Sequence, residues 1–143
     1  MIRAVYDTSA LIALLVVEHP HNASSTESFE REHEERLCST HALAETYRGL
    51  TALPIQPRIT PEQALRLIRE RILTAATVIS LDDEDYIATL ERMASLGLVS
   101  GAIYDGLHVR AAEKIGADEL VTFNERDFER MPPAPPCKLV VLS

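Results

Sequence analysis

Four carboxylates of the 143-residue chain, Asp7, Glu45, Asp105 and Asp127, have types and positions that could do chemistry. Asp7 directly follows the apolar, β-branched run at residues 2–6. Asp127 comes shortly after Glu119–Thr122, a second run of that kind. An ionised acid beside a buried strand is costly unless it is paired or meets a cation. Each acid also has an ordinary use. Asp7 begins Asp7-Thr8-Ser9, which is good helix-capping chemistry. Glu45 could pair with Arg48 on a solvated face, Asp105 could cap a helix, and Asp127 could serve Arg126 or Arg130. Together the four suggest more, because they fall on separate elements that one edge of an α/β sheet could gather. Like charges crowded in this way suppress one another's ionisation, so the cluster calls for a cation. The ligand set is oxygen only, with no Cys or His at metal spacing. That suits Mg2+ or Mn2+ better than Zn2+. Phosphoryl transfer with a metal-activated water is the chemistry such a set serves best.

The elements that must position these acids can be read in order. Residues 2–6 form a strand, and Asp7-Thr8-Ser9 turns the chain into a helix over 10–17. Beyond Pro20 and Asn22 lies a charged, helix-prone stretch at 24–36, then a second strand at 37–39. Leu43, Tyr47 and Leu50 give the period of a helix over 40–53, ended by Pro54 and Pro57. Thr60-Pro61-Glu62 opens the next helix, which runs through Ile72. A third strand covers 77–81. Asp82 then caps a helix carrying Ile87, Leu90 and Met93 and ending near Gly97. Residues 100–104 read as a connection, and 105–115 as a helix closed by Gly116. A fourth strand at 119–122 is followed by a turn or short helix at 124–128. An exposed Pro-rich connection at 131–136 and a strand at 138–142 finish the chain. Strands alternating with helices predict a three-layer α/β/α fold of one domain, residues 1–143, around a mostly parallel sheet of four to five strands. Ligands of such sheets bind outside the carboxyl ends of the strands. Asp7, Thr122, Asn124 and Asp127 all fall there.

Composition bounds the answer. The length suits one domain, and 46% hydrophobic with 25% charged residues is ordinary globular usage. The net charge of −8 argues against simple phosphate binding. It does not argue against a metal-dependent nuclease, in which divalent ions bring the positive charge. The basic residues are twelve Arg and only Lys114 and Lys138, a skew that permits bidentate phosphate contacts. Cys38 and Cys137 lack metal-ligand spacing and read as buried free thiols in a reducing cytoplasm. No targeting signal is expected at the N-terminus, and the longest apolar run, 10–17, is too short to span a bilayer.

The ordered motifs resemble the PIN-domain ribonucleases, and among them the VapC-type toxins of bacterial toxin–antitoxin pairs. Val5-Tyr6-Asp7-Thr8-Ser9-Ala10-Leu11 looks like that family's opening strand and acid. Ser39-Thr40-His41-Ala42-Leu43-Ala44-Glu45-Thr46-Tyr47-Arg48-Gly49-Leu50 looks like its helix with a central Glu. Tyr104-Asp105-Gly106-Leu107 looks like the start of its third-acid helix. Leu120-Val121-Thr122-Phe123-Asn124-Glu125-Arg126-Asp127-Phe128 looks like its late strand and turn. The resemblance implies that Asp7, Glu45 and Asp105 hold Mg2+ (or Mn2+) and that an activated water attacks an RNA phosphodiester in line. It also implies a homodimer, neutralised by a small antitoxin whose basic side chain enters the acidic site. One position departs from the pattern. Many members carry an acid two residues after the late Thr, where this chain has Asn124. Asn124 and Asp127 therefore share the candidacy for the fourth place. Thr8, Ser9 and Thr122 are candidates for orienting water or phosphate, and Arg48, Arg110 and Arg126 for gripping substrate phosphates. His41 and His108 are not needed by this mechanism and read as structural. Two alternatives stay open: a PIN-fold nuclease of RNA maturation, and a degenerate PIN-fold binding module, which Asn124 would favour. Receiver domains and haloacid-dehalogenase-like phosphatases fit less well. The former need a Lys after a late strand, and the latter an Asp where Ser9 stands.

Overall fold

The computed structural model describes residues 2–31 and 35–143. Five strands, β1 (Arg3–Tyr6), β2 (Glu35–Ser39), β3 (Thr77–Ile79), β4 (Glu119–Thr122) and β5 (Lys138–Val141), form one sheet in the order β3-β2-β1-β4-β5. Every neighbouring pair is parallel, as the alternation of strands and helices predicts. The helices are α1 (Thr8–Leu15), α2 (Asn22–Glu30), α3 (Thr40–Ala52), α4 (Pro61–Leu67), α5 (Asp83–Leu96), α6 (Ala102–Ile115) and α7 (Glu125–Glu129). A π-helical turn, Ile68–Leu73, prolongs α4.

Side chains of successive strand residues point to opposite faces, and β1 shows this directly. Ala4 and Tyr6 join a core made with α1, Phe29 of α2, Ala42 and Leu50 of α3, and Ala64 of α4. Val5 joins the opposite core, made with Val109, Ala111 and Ala112 of α6 and Phe128 of α7. Helices thus cover both faces of the sheet, giving the three layers. Cys38 and Cys137 are buried free thiols, one in each core.

Several local expectations change. The stretch at 24–36 is a helix only to Glu30, and Glu35 and Arg36 begin β2; residues 32–34 lie outside the described residues. Asn22 starts α2 and donates its side-chain amide to the carbonyls of Ala13 and Leu14 at the end of α1 (2.9 and 3.2 Å). In α5 the face turned inward carries Asp85, Thr89 and Met93, while Ile87 and Leu90 stay exposed. The connection at 100–104 is shorter than expected, since α6 begins at Ala102. Met131 is buried, not exposed. It packs under Gly106, where a Cβ would come within 3.0 Å of the Met131 methyl and 2.9 Å of Thr89. That glycine allows α5 and α6 to approach closely.

Candidate active site

Strand order reverses at β1, whose partners β2 and β4 are reached in opposite directions along the chain. The crevice beyond the carboxyl ends of β1 and β4 is therefore the expected ligand site. Asp7 emerges from β1 there, with its N–H on the carbonyl of Val121 in β4 (3.0 Å). Its two readings turn out to be compatible. One carboxylate oxygen caps α1, accepting from Ala10 N–H at 2.9 Å and Ser9 Oγ at 2.7 Å. The other accepts from Thr122 Oγ1 at 2.5 Å. Burial pushes the Asp7 carboxyl up, and His108, Thr122, Ser9 and Ala10 offset part of that.

Ser39, the last residue of β2, caps α3 by accepting from Ala42 N–H at 3.0 Å. That start sets the rotation of α3 and turns Glu45 toward Asp7. Glu45 does not pair with Arg48. Its Oε1 accepts from Thr8 Oγ1 at 2.8 Å and lies 3.2 Å from His108 Nε2. His41 Nε2, one turn earlier in α3, stands 3.2 Å from the same oxygen. Burial opposes the charge of Glu45, but His108, His41 and Thr8 outweigh it and hold the carboxyl well below its ordinary range. His108 is buried, and its Nδ1 has no partner among the described residues. Its Nε2 is the ring nitrogen that faces Glu45.

Asp105 comes from the first turns of α6 and is not the cap of that helix. Burial and the charges of Asp127, Asp7 and Glu45 push its carboxyl up to about 7, against the pull of His108. The expected crowding of acids is thus visible in the geometry. An open cleft of about 490 Å3 is lined by Asp7, Thr8, Ser9, Glu45, Asp105, Asn124 and Asp127, together with Tyr104, His108 and Arg130.

Not every candidate is brought there. Thr122 is fully buried behind Asp7 and acts by holding it. Arg48 and Arg126 are exposed and outside the cleft lining. Arg110 is turned the other way. Its Nε donates to Asp85 of α5 at 2.9 Å, because it lies about 140° around the helix from Asp105. Conversely, His108, read as structural, and Arg130, read only as a partner for Asp127, line the cleft, and His41, also read as structural, stands beside Glu45. A sequence signal for them exists: His41 and Glu45 are four apart, Asp105 and His108 three apart, and Asp127 and Arg130 three apart. Residues so spaced share a helix face.

The donor set fits a hard divalent cation. It offers carboxylate oxygens with excess negative charge, and the Asp105 and Asp127 carboxylates have no hydrogen-bond partner among the described residues. Among those residues, no three Asp, Glu, His or Cys side chains stand close enough to enclose an ion directly. The fit is to an ion such as Mg2+, which keeps several waters and takes only one or two carboxylates.

The PIN domain family model matches residues 4–132, and the chain belongs to that family. Ribonuclease VapC27 of Mycobacterium tuberculosis is 38% identical over 120 residues, 84% of this chain and 83% of that protein. In structure the chain is similar to VapC20 of M. tuberculosis, a toxin described as cleaving the Sarcin–Ricin loop (TM-score 0.72, 16% identity, 87% of this chain and 92% of that one). It is also similar to VapBC2 of Rickettsia felis, solved with a fragment of promoter DNA (TM-score 0.67, 20% identity, 99% of both chains). No described helix is long and apolar enough to cross a membrane.

Proposed function

We propose that this protein is a divalent-metal-dependent endoribonuclease and the toxin of a toxin–antitoxin pair, acting on RNA in the cytoplasm. One observation carries the reading: acids from four elements, Asp7, Glu45, Asp105 and Asp127, line one cleft, where burial and the other three acids push Asp105 up to about 7. A similar protein that bears the name ribonuclease supports the substrate class.

Asp7, Glu45, Asp105 and Asp127 are the residues that would hold Mg2+ or Mn2+, directly or through its waters. When bound, the ion supplies positive charge to the scissile phosphate and acidifies water for in-line attack. The remaining roles belong to the chain. Asp7 presents a rigid carboxylate, since three donors fix it. Thr8 and His108 hold Glu45 ionised and aimed into the cleft. Asn124 and Arg130, both exposed at the rim, are placed to meet phosphate oxygens. Ser9 braces Asp7 and Phe123 N–H together, tying the acid to the loop that carries Asn124.

The proposed partner is a small antitoxin with a basic segment, which an acidic cleft on a chain of net charge −8 would attract. The described VapBC2 structure makes a toxin–antitoxin setting reasonable for this fold. Homodimerisation is part of the same proposal, and the exposed Ile87 and Leu90 of α5 offer apolar surface for a protein contact.

RNA cleavage by the purified protein with Mg2+ or Mn2+ tests the enzyme. The expected result is cleavage that both EDTA and Asp7→Asn abolish. Cleavage that survives both would refute the metal site. Growth arrest on expression, relieved by a small protein encoded beside it, is expected of a toxin and not of an RNA-maturation nuclease.

A further inference from the structure

Tyr104 is a large aromatic that packing does not explain. It is 47% exposed, belongs to none of the hydrophobic clusters among the described residues, and lines the cleft beside Asp105. The ring is nevertheless held. His41 lies almost parallel to it, with centroids 4.9 Å apart and 11° between the planes. His41 is itself fixed in α3 one turn before Glu45. One face of the phenol ring is thus covered by an imidazole, and the exposed remainder belongs to the cleft. The neighbouring cleft positions are Gly101 and Ala102, the two smallest residues, which leave room beside the ring.

A flat aromatic surface next to phosphate-handling acids is the kind of surface on which an unstacked nucleobase lies. Its orientation is set before any ligand arrives, so little side-chain freedom is lost on binding. We propose that Tyr104 is the stacking platform for a base that flanks the phosphate in the cleft. This rests on the ribonuclease reading above. Bases in a continuous helix are stacked on one another and offer no free face, whereas those in loops and single strands do. Tyr104 is one residue from Asp105, so a base lying on it belongs to a nucleotide at, or next to, the phosphate that the acids engage.

The test measures binding of two labelled oligomers of equal length and charge: a short oligoadenylate, and its abasic counterpart with the same sugar–phosphate chain. Ca2+ replaces Mg2+, and gels verify that both stay intact. Wild-type protein is expected to bind oligoadenylate roughly ten-fold more tightly than the abasic oligomer, the usual size of one base–aromatic stack. Tyr104→Leu keeps apolar bulk over His41 but no π face. It should bind both oligomers equally, with the wild-type affinity for the abasic one. Tyr104→Phe should restore the preference for bases, and melting curves should show both variants folded. A Tyr104→Leu protein that still prefers oligoadenylate overturns the platform. So does wild-type protein that binds both oligomers equally, a result that leaves phosphate binding and the ribonuclease reading intact. Failure to bind either oligomer, together with failure to cleave total RNA, overturns that reading and the platform with it.

Discussion

Asp85 of α5 and Asp105 of α6 sit on adjacent helices, and burial raises the cost of ionising both. Their surroundings then diverge. Asp85, 2% exposed, accepts from Arg110 at 2.9 Å, Lys114 at 2.6 Å and the backbone N–H of Asp82 at 2.9 Å. These contacts outweigh the burial and hold the carboxyl well below its ordinary range. Asp105 has three acids around it and only His108 to oppose them, and it is pushed up to about 7. A single helix serves both places, since α6 carries Arg110 and Lys114 toward α5 and presents Asp105 and His108 to the cleft. Charge is neutralised where it clasps helices together and left in excess where a ligand is expected. An acid cluster that stabilised the fold would resemble the first place and not the second.

Neutralising each acid in turn should separate these roles. Asp105→Asn is expected to lower RNA cleavage at least about 100-fold, since it removes the charge of an acid proposed to hold the ion. The variant should remain folded. Asp85→Asn should do the reverse. Removing one partner of a buried pair costs about 3–5 kcal/mol. Arg110 and Lys114 are partly exposed and can return to water, which brings the expected loss in a urea titration down to about 2 kcal/mol. Cleavage per folded molecule should fall by much less than in Asp105→Asn. If Asp85→Asn abolished cleavage in a fully folded protein, the comparison would collapse.

The two acids should also respond to pH with opposite signs in metal-free buffer. Asp105 has a folded-state value of about 7, above its ordinary 3.8. Between those values the native state binds the extra proton, so its contribution to stability falls as pH rises and is least favourable above 7. Asp85 is depressed, so it stabilises above its ordinary 3.8 and loses that contribution as pH falls below. Asp105→Asn should therefore raise the metal-free Tm at pH 8 by a few degrees, on the order of 1 kcal/mol after solvent screening. The gain should vanish near pH 4. An equal gain at both pH values would mean that Asp105 is not raised by its neighbours.

Most of the fold was legible in the sequence because its signals are local. β-branched runs end in caps, Asp82 forms its capping box, and Gly97 and Gly116 take the left-handed conformation that closes α5 and α6. The start of α6 was misread for an equally local reason. Its N-cap, Gly101, makes no side-chain cap, so Asp105 served as a false one. The acids were legible because they follow strands or hold a regular place in a helix. Spacing puts His41 and His108 on the helix faces of Glu45 and Asp105, but what they and Tyr104 touch was not legible, because those contacts arise from the approach of α3 to α6 and no period within either helix carries that distance. Arg110 was misplaced because both faces of α6 bear charge, and only the position of α5 tells which face is buried.

The smallest expected effects come from the arginines, and they sharpen the comparison most. Arg130 lines the cleft, is exposed, and has no hydrogen-bond or ion-pair partner among the described residues. Arg130→Gln should raise KM for RNA several-fold at low salt and leave kcat nearly unchanged, because it removes attraction common to ground and transition states. The difference should shrink as ionic strength rises. Arg110→Gln removes an equal charge from the same chain but from the α5–α6 clasp. Lys114 still holds Asp85, so about 1 kcal/mol of stability should be lost and KM should not move. Both variants shift net charge by the same amount, so overall charge predicts equal effects on KM and position predicts unequal ones. Matched KM changes would mean that RNA responds to the whole protein's field, and the distinction between the two clusters would then have no bearing on substrate binding.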